Sequence, residues 1–144
     1  MKGWTIAMVA TSGMFAAGTV FAASRIPKWR RMSSSGFVSD FARTIAIADK
    51  VQPALLLLAL FGTVGYASGV EEAARSAAVA ATVGFAAILA GSGVVLVPLQ
   101  RRIIRSTGQG DAIEDLRERW FRGHLGRSAL SVLSFALAIF AAIL

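Results

Sequence analysis

The sequence predicts an all-α fold: an integral membrane four-helix bundle, a single domain with helical extensions on its cytoplasmic side. Two observations carry this. Four apolar segments, at about residues 4–23, 51–68, 76–100 and 128–144, contain no Asp, Glu, Lys or Arg, and each is near the roughly 17–25 residues that span a hydrocarbon core. Thirteen of the fifteen basic residues fall between them, in residues 24–50 and 101–127. With 144 residues, 56% of them hydrophobic, the chain accommodates one small bundle and no second domain.

The first loop carries six basic residues and the third seven, against Arg75 in the second loop and Lys2 at the N-terminus. The positive-inside rule therefore places loops 24–50 and 101–127 in the cytoplasm of a multi-pass cell-membrane protein. Both termini and the Glu71–Glu72 turn then face the other side. The N-terminus has signal-peptide features, with Lys2, an apolar core and Val20-Phe21-Ala22; it is expected to be retained as the first span. A net charge of +7 fits anionic headgroups as partners, at roughly 1 kcal/mol per basic residue near the surface. Nucleic acid is not an expected partner, because no aromatic-interleaved basic face accompanies the charge. The absence of cysteine excludes disulfides, thiolate metal sites and a Cys nucleophile.

Span one has Gly13 and Ala17 four apart, span three has Ala87 and Gly91, and span two ends with Gly65 and Gly69. Such small-xxx-small pairs let helices approach closely in lipid, although Gly and Ala are also simply common there. After span one, Arg25, Lys28, Arg30 and Arg31 with Pro27 and Trp29 form a basic, aromatic patch expected among headgroups. A break at Ser33–Gly36 follows. Phe37, Phe41, Ile45 and Ala48 then recur at helical spacing, with Asp40 and Arg43 turned to water, which predicts an amphipathic helix leading into span two. Pro53 is a candidate kink or restart.

In the third loop, residues 106–110 read as a turn and Asp111 with Glu114 as a capping box that starts a helix. Asp115–Arg119 and Glu118–Arg122 are acid-then-base pairs four apart, which support it. No proline intervenes before Leu144, so one helix of roughly 48 Å is expected, its first four turns projecting into the cytoplasm. Gly123 and Gly126 are candidate bends.

Little of this suits most chemistries. His124 is the only histidine and the eight acids sit at membrane boundaries, so no metal site and no cofactor is expected, and no span centre carries an ionisable residue of a proton-coupled transporter or channel. One constellation remains. Trp120, His124 and Arg127 lie at i, i+4 and i+7 on one helix face, beside Arg119. There an imidazole can take a proton from an acidic phenol or enol, with Trp120 stacked on a flat ring and Arg127 holding the anion. Asp49, at the same interface, is a candidate to orient the imidazole. The plainer alternative makes Trp120 an interfacial anchor, the arginines headgroup ligands and His124 an ordinary junction residue.

Val97-Pro98-Leu99-Gln100-Arg101, Leu116-Arg117-Glu118-Arg119-Trp120 and the W-x-x-x-H-x-x-R run to Arg127 resemble the anthrone-oxygenase-like family of four-span membrane proteins. The resemblance implies cofactor-independent oxidation of an anthrone to an anthraquinone by dioxygen. It implies Trp120, His124 and Arg127 as catalytic residues, with His124 as base; Asp49, Gln100 and Arg119, at the same interface, are the substrate-binding candidates. Members of that family often show Asn on both sides of V-P-L, where this chain has Leu96 and Gln100. The competing expectation is an accessory subunit of a larger membrane complex, or a homo-oligomer, packed through its Gly/Ala faces.

Overall fold

In lipid every backbone polar group must be satisfied within the protein, and an apolar run without strong breakers does this as a helix. The computed structural model describes residues 2–106 and 111–144, except the Asp111 side chain. Its helices are α1 (Lys2–Ser24), α2 (Ile26–Arg31), α3 (Ser34–Ala67), α4 (Glu72–Gly91), a π-helical turn (Ser92–Leu96), α5 (Val97–Arg105) and α6 (Asp111–Ile143). No strand occurs among the described residues. They assemble into four membrane-spanning lengths: Lys2–Arg31, Ser34–Ala67, Glu72–Arg105 and Ala112–Ile143, of 30, 34, 34 and 32 residues. The chain is a multi-pass membrane protein of four helices. At 1.5 Å per residue each length exceeds a hydrocarbon core of about 30 Å, so all four project beyond it.

The packing order around the bundle is α1, α3, α4, α6, with each helix against its two neighbours and α3 nearly free of α6 across the diagonal. Two cores stack along the axis. One lies within the spans, from Met8, Phe15, Leu56, Ala78, Ala81, Phe85 and Ala138. The other is aromatic and lies at the basic end, where Trp29, Phe37, Phe41, Trp120 and Phe121 pack with Ile26 and Ile103. At the opposite end the Tyr66 hydroxyl donates to the Ala141 carbonyl oxygen at 2.7 Å, satisfying one of the acceptors orphaned in the last turn of α6.

Several local expectations change. Trp29 is fully buried rather than among headgroups. Its ring meets Phe41 at 5.5 Å and stacks parallel to Phe121 at 6.2 Å, and its Nε1 donates to Asp40 Oδ2 at 2.7 Å. Asp40 is turned not to water but to this indole and to Arg25 Nη2, at 2.9 Å. The Ser33 hydroxyl caps α3 by accepting from the Gly36 amide. Pro53 neither restarts nor ends α3, which continues to Ala67; only the Asp49 carbonyl loses its donor four residues on. Pro98 has the larger effect. It is the second residue after the π turn, and the wider turn makes room for the proline ring against the carbonyl four residues earlier. An uninterrupted α-helix would carry burial from Ile88 to 95, 99 and 102; with one residue absorbed, it falls on Leu96, Gln100 and Ile103.

The close approaches between helices use only part of the expected set. A Cβ at Gly62 would come within 3.0 Å of the Met8 backbone, and one at Gly13 within 3.1 Å of the Phe135 ring. Gly65 lies against the Trp4 ring and Gly84 against Ser134. Ala17, Ala87 and Gly91 instead face outwards, and Gly69 sits in the turn after α3. The helix predicted from Asp111 runs unbroken through Gly123 and Gly126. The remainder of the predicted turn, 107–110, and the Asp111 side chain of the capping box lie outside the described residues.

Candidate active site

Where the two cores meet, a band of polar side chains crosses the bundle. His124 is 4% exposed and Trp120 2%, so neither is a surface anchor. Helical spacing puts the imidazole directly against the indole: the rings are parallel within 6°, with centroids 4.6 Å apart. Trp120 thus stacks on His124 rather than on a ligand. Phe41 closes the other side of the indole edge-on at 4.8 Å.

Thr19 of α1 fixes the ring. Its carbonyl oxygen lies 3.1 Å from His124 Nε2, and since a carbonyl only accepts, Nε2 carries the proton. In the neutral imidazole Nδ1 is then a bare lone pair. It has no partner among the described residues. Ser128, one turn on, donates to the same carbonyl at 3.1 Å, and Ser131 Oγ meets Thr19 Oγ1 at 2.6 Å. Three residues of α6 are thereby anchored to one residue of α1.

Arg127 is half-buried. Its guanidinium sits 5.4 Å over the Phe15 ring and its Nη2 donates to Gln52 Oε1 at 3.3 Å. It has no ion-pair partner among the described residues. This half-buried cation is held by an aromatic face and a neutral amide, with Asp49, lining the same cavity, as a countercharge that forms no salt bridge with it. Trp120 Nε1 and Arg127 Nε, like His124 Nδ1, are buried and unpartnered among the described residues. All three residues line one cavity of about 40 Å³, enclosed further by Gly18, Thr19, Ala22, Ile45, Ala48, Asp49 and Gln52.

Asp49 lines this cavity but does not orient the imidazole; it accepts from Gln100 Nε2 at 2.8 Å, and Thr19 does the orienting. Gln100 is buried and so braces Asp49. Arg119 is not brought to the site at all: its side chain is 60% exposed and pairs with Asp115. Leu96 is buried and covers Gly123, where a Cβ would approach it to 2.8 Å. Sequence reasoning missed Gly18, Thr19, Gln52, Ser128 and Ser131. The available signal was Ser128, four residues after His124 on the same face; Thr19 is one of three threonines in the first span and did not stand out. Among the described residues no three or more His, Asp or Glu side chains gather as a metal site.

Fold and site together define a small multi-pass helical protein with a histidine-centred polar cavity buried at one end of its bundle. The family model described as anthrone oxygenase matches residues 41–137, about two thirds of the chain, and the protein belongs to that family. The match takes in Asp49, Gln52, Gln100, Trp120, His124 and Arg127 but stops short of α1. No curated protein and no solved structure matches the chain.

Proposed function

We propose that the protein is a cofactor-independent oxygenase that oxidises an anthrone-like or quinol-like phenolic substrate with dioxygen. The observation that carries this is the bare Nδ1 of His124 beside the two unpartnered donors, Trp120 Nε1 and Arg127 Nε. That is a base next to an oxyanion site, the two elements needed to ionise an acidic phenol or enol.

For an anthrone the steps balance. His124 Nδ1 takes one methylene proton, and the carbanion, delocalised on to the ring oxygen, is held by Trp120 and Arg127. Dioxygen accepts its electrons and bonds to that carbon as a peroxide, which takes the proton back from the imidazolium. Loss of water then leaves the new carbonyl. One oxygen atom ends in the quinone and the other in water with both methylene hydrogens; four electrons leave the carbon and four reduce dioxygen. His124→Ala should abolish oxygen uptake with an anthrone in proteoliposomes while leaving helicity unchanged. Equal uptake by the variant would remove His124 from the mechanism.

The same reading places loops 24–50 and 101–127 in the cytoplasm of a cell-membrane protein, with the basic end among anionic headgroups. A second reading, an accessory subunit or homo-oligomer, draws support from the outward faces of Ala87 and Gly91, where a Cβ on Gly91 meets nothing within 4 Å. The native mass after gentle solubilisation separates the two: a large assembly with other polypeptides favours the subunit, and an isolated small species favours the enzyme.

A further inference from the structure

A cavity of about 40 Å³ holds little more than one water, whose share of the liquid is about 30 Å³. Pockets for small organic ligands measure about 300–1,000 Å³, so the ring system of a phenolic substrate needs other space. A groove of about 490 Å³ lies directly alongside, between α1 and α3. Gly18, Ala22, Ala48 and Gln52 line both spaces and form their common wall. Three of those residues carry at most a methyl group, so Gln52 is the wall's one flexible side chain. It fits because Gly18 has no Cβ; a methyl there would collide with the Gln52 amide.

The groove's chemistry suits a flat, ionisable ring. Phe21, Ile47 and Val51 give it apolar sides, and all three are exposed on the bundle's outer surface. At its basic end Arg25 and Asp40 neutralise each other at 2.9 Å, whereas Arg43 has no ion-pair partner among the described residues. The wall is also electrostatically coupled to the site: Gln52 Oε1 holds Arg127, so moving Gln52 aside releases the guanidinium as an anionic edge arrives.

We propose that this groove binds the ring system of a planar polycyclic phenol, taken in sideways at the headgroup level of the bilayer, and that Gln52 swings aside to admit the reacting edge to His124. The reacting edge rests on the oxygenase reading; occupation of the groove does not.

The chain has no cysteine, which permits a direct test. Ile47→Cys puts a thiol on the groove, and Val94→Cys, at an exposed position outside it, serves as control. Both variants in nanodiscs are labelled with a maleimide, with and without a dihydroxyanthraquinone that cannot be oxidised further at its carbonyls. At ten times its dissociation constant the quinone should slow labelling of Ile47→Cys about tenfold and leave Val94→Cys unchanged. Equal labelling rates with the quinone demonstrably bound would overturn the groove assignment, even if anthrone turnover is intact. Protection without any turnover would uphold the groove and count against the oxygenase reading alone. Gln52→Ala removes the moving side chain and leaves the wall open, so kcat/KM for an anthrone should rise severalfold; an unchanged or lower value would overturn the gating role of Gln52.

Discussion

His124 can act as a base only if its proton sits on the nitrogen that faces away from the substrate, and one backbone oxygen decides that. The Thr19 carbonyl takes the Nε2 proton and is shared with Ser128. Ser128→Ala removes one donor from that carbonyl and should cost about 1 kcal/mol of stability, the net worth of a typical hydrogen bond, read as a lowered thermal midpoint in detergent. Trp120→Phe keeps an aromatic ring against the imidazole but deletes Nε1–H. Its kcat for an anthrone should fall about a hundredfold, the scale of losing one oxyanion donor, with KM little changed; an unaltered kcat would show that Nε1 holds no developing charge. The indole of Trp29 plays a different part, tying α2 to α3 through Asp40. Asp40→Ala strands that buried donor together with Arg25, and unfolding should be easier by about 1–3 kcal/mol.

At the level of helices, the sites of close approach separate two kinds of glycine. Gly62→Leu drives a side chain into the Met8 backbone, which cannot move without shifting α1, so the variant should fail to give a stable, monodisperse bundle. Gly91→Leu meets open space and should fold as the parent does, by circular dichroism and thermal unfolding; a collapse there would mean that the outward face of α4 is covered. Only Gly91, four after Ala87, carries the small-xxx-small signature; Gly62 has Leu58 and Tyr66 four residues to either side. Spacing finds which residues are small but not which way they point, and the outward pair Ala87 and Gly91 was indistinguishable from an inward one. The four long apolar helices, the α6 start and the stripe from Phe37 to Ile45 were legible because length, charge and periodicity are local properties. The π turn was not, since it answers to Pro98 together with the inner face it must restore. Nor was Thr19: a hydroxyl in an apolar span most often bonds its own helix, as Thr19 also does to Ala16, and only the fold brings it opposite a residue 105 positions away. His124 and Trp120 were found because both sit on one helix face, where spacing is informative.

For the molecule as a whole, the bundle places its histidine cavity toward the basic end, where the two cores meet, so orientation in the membrane fixes which compartment the site adjoins. With Ser35→Cys and Ser68→Cys made separately, a membrane-impermeant maleimide should label Ser68→Cys on intact cells and Ser35→Cys only after lysis; the reverse pattern would invert the topology. The mechanism turns on a narrower point, that His124 Nδ1 takes the substrate's proton. The chain has one histidine, so protein labelled with ¹⁵N-histidine gives a single imidazole spin system. The measurement is its nitrogen spectrum in nanodiscs, without oxygen so that oxidation cannot proceed, before and after an anthrone is added. Nε2 should stay protonated throughout while Nδ1 passes from a bare to a protonated shift as the anthrone ionises in place. An anthrone bound in its ionised form beside an unchanged, bare Nδ1 would contradict that proton transfer.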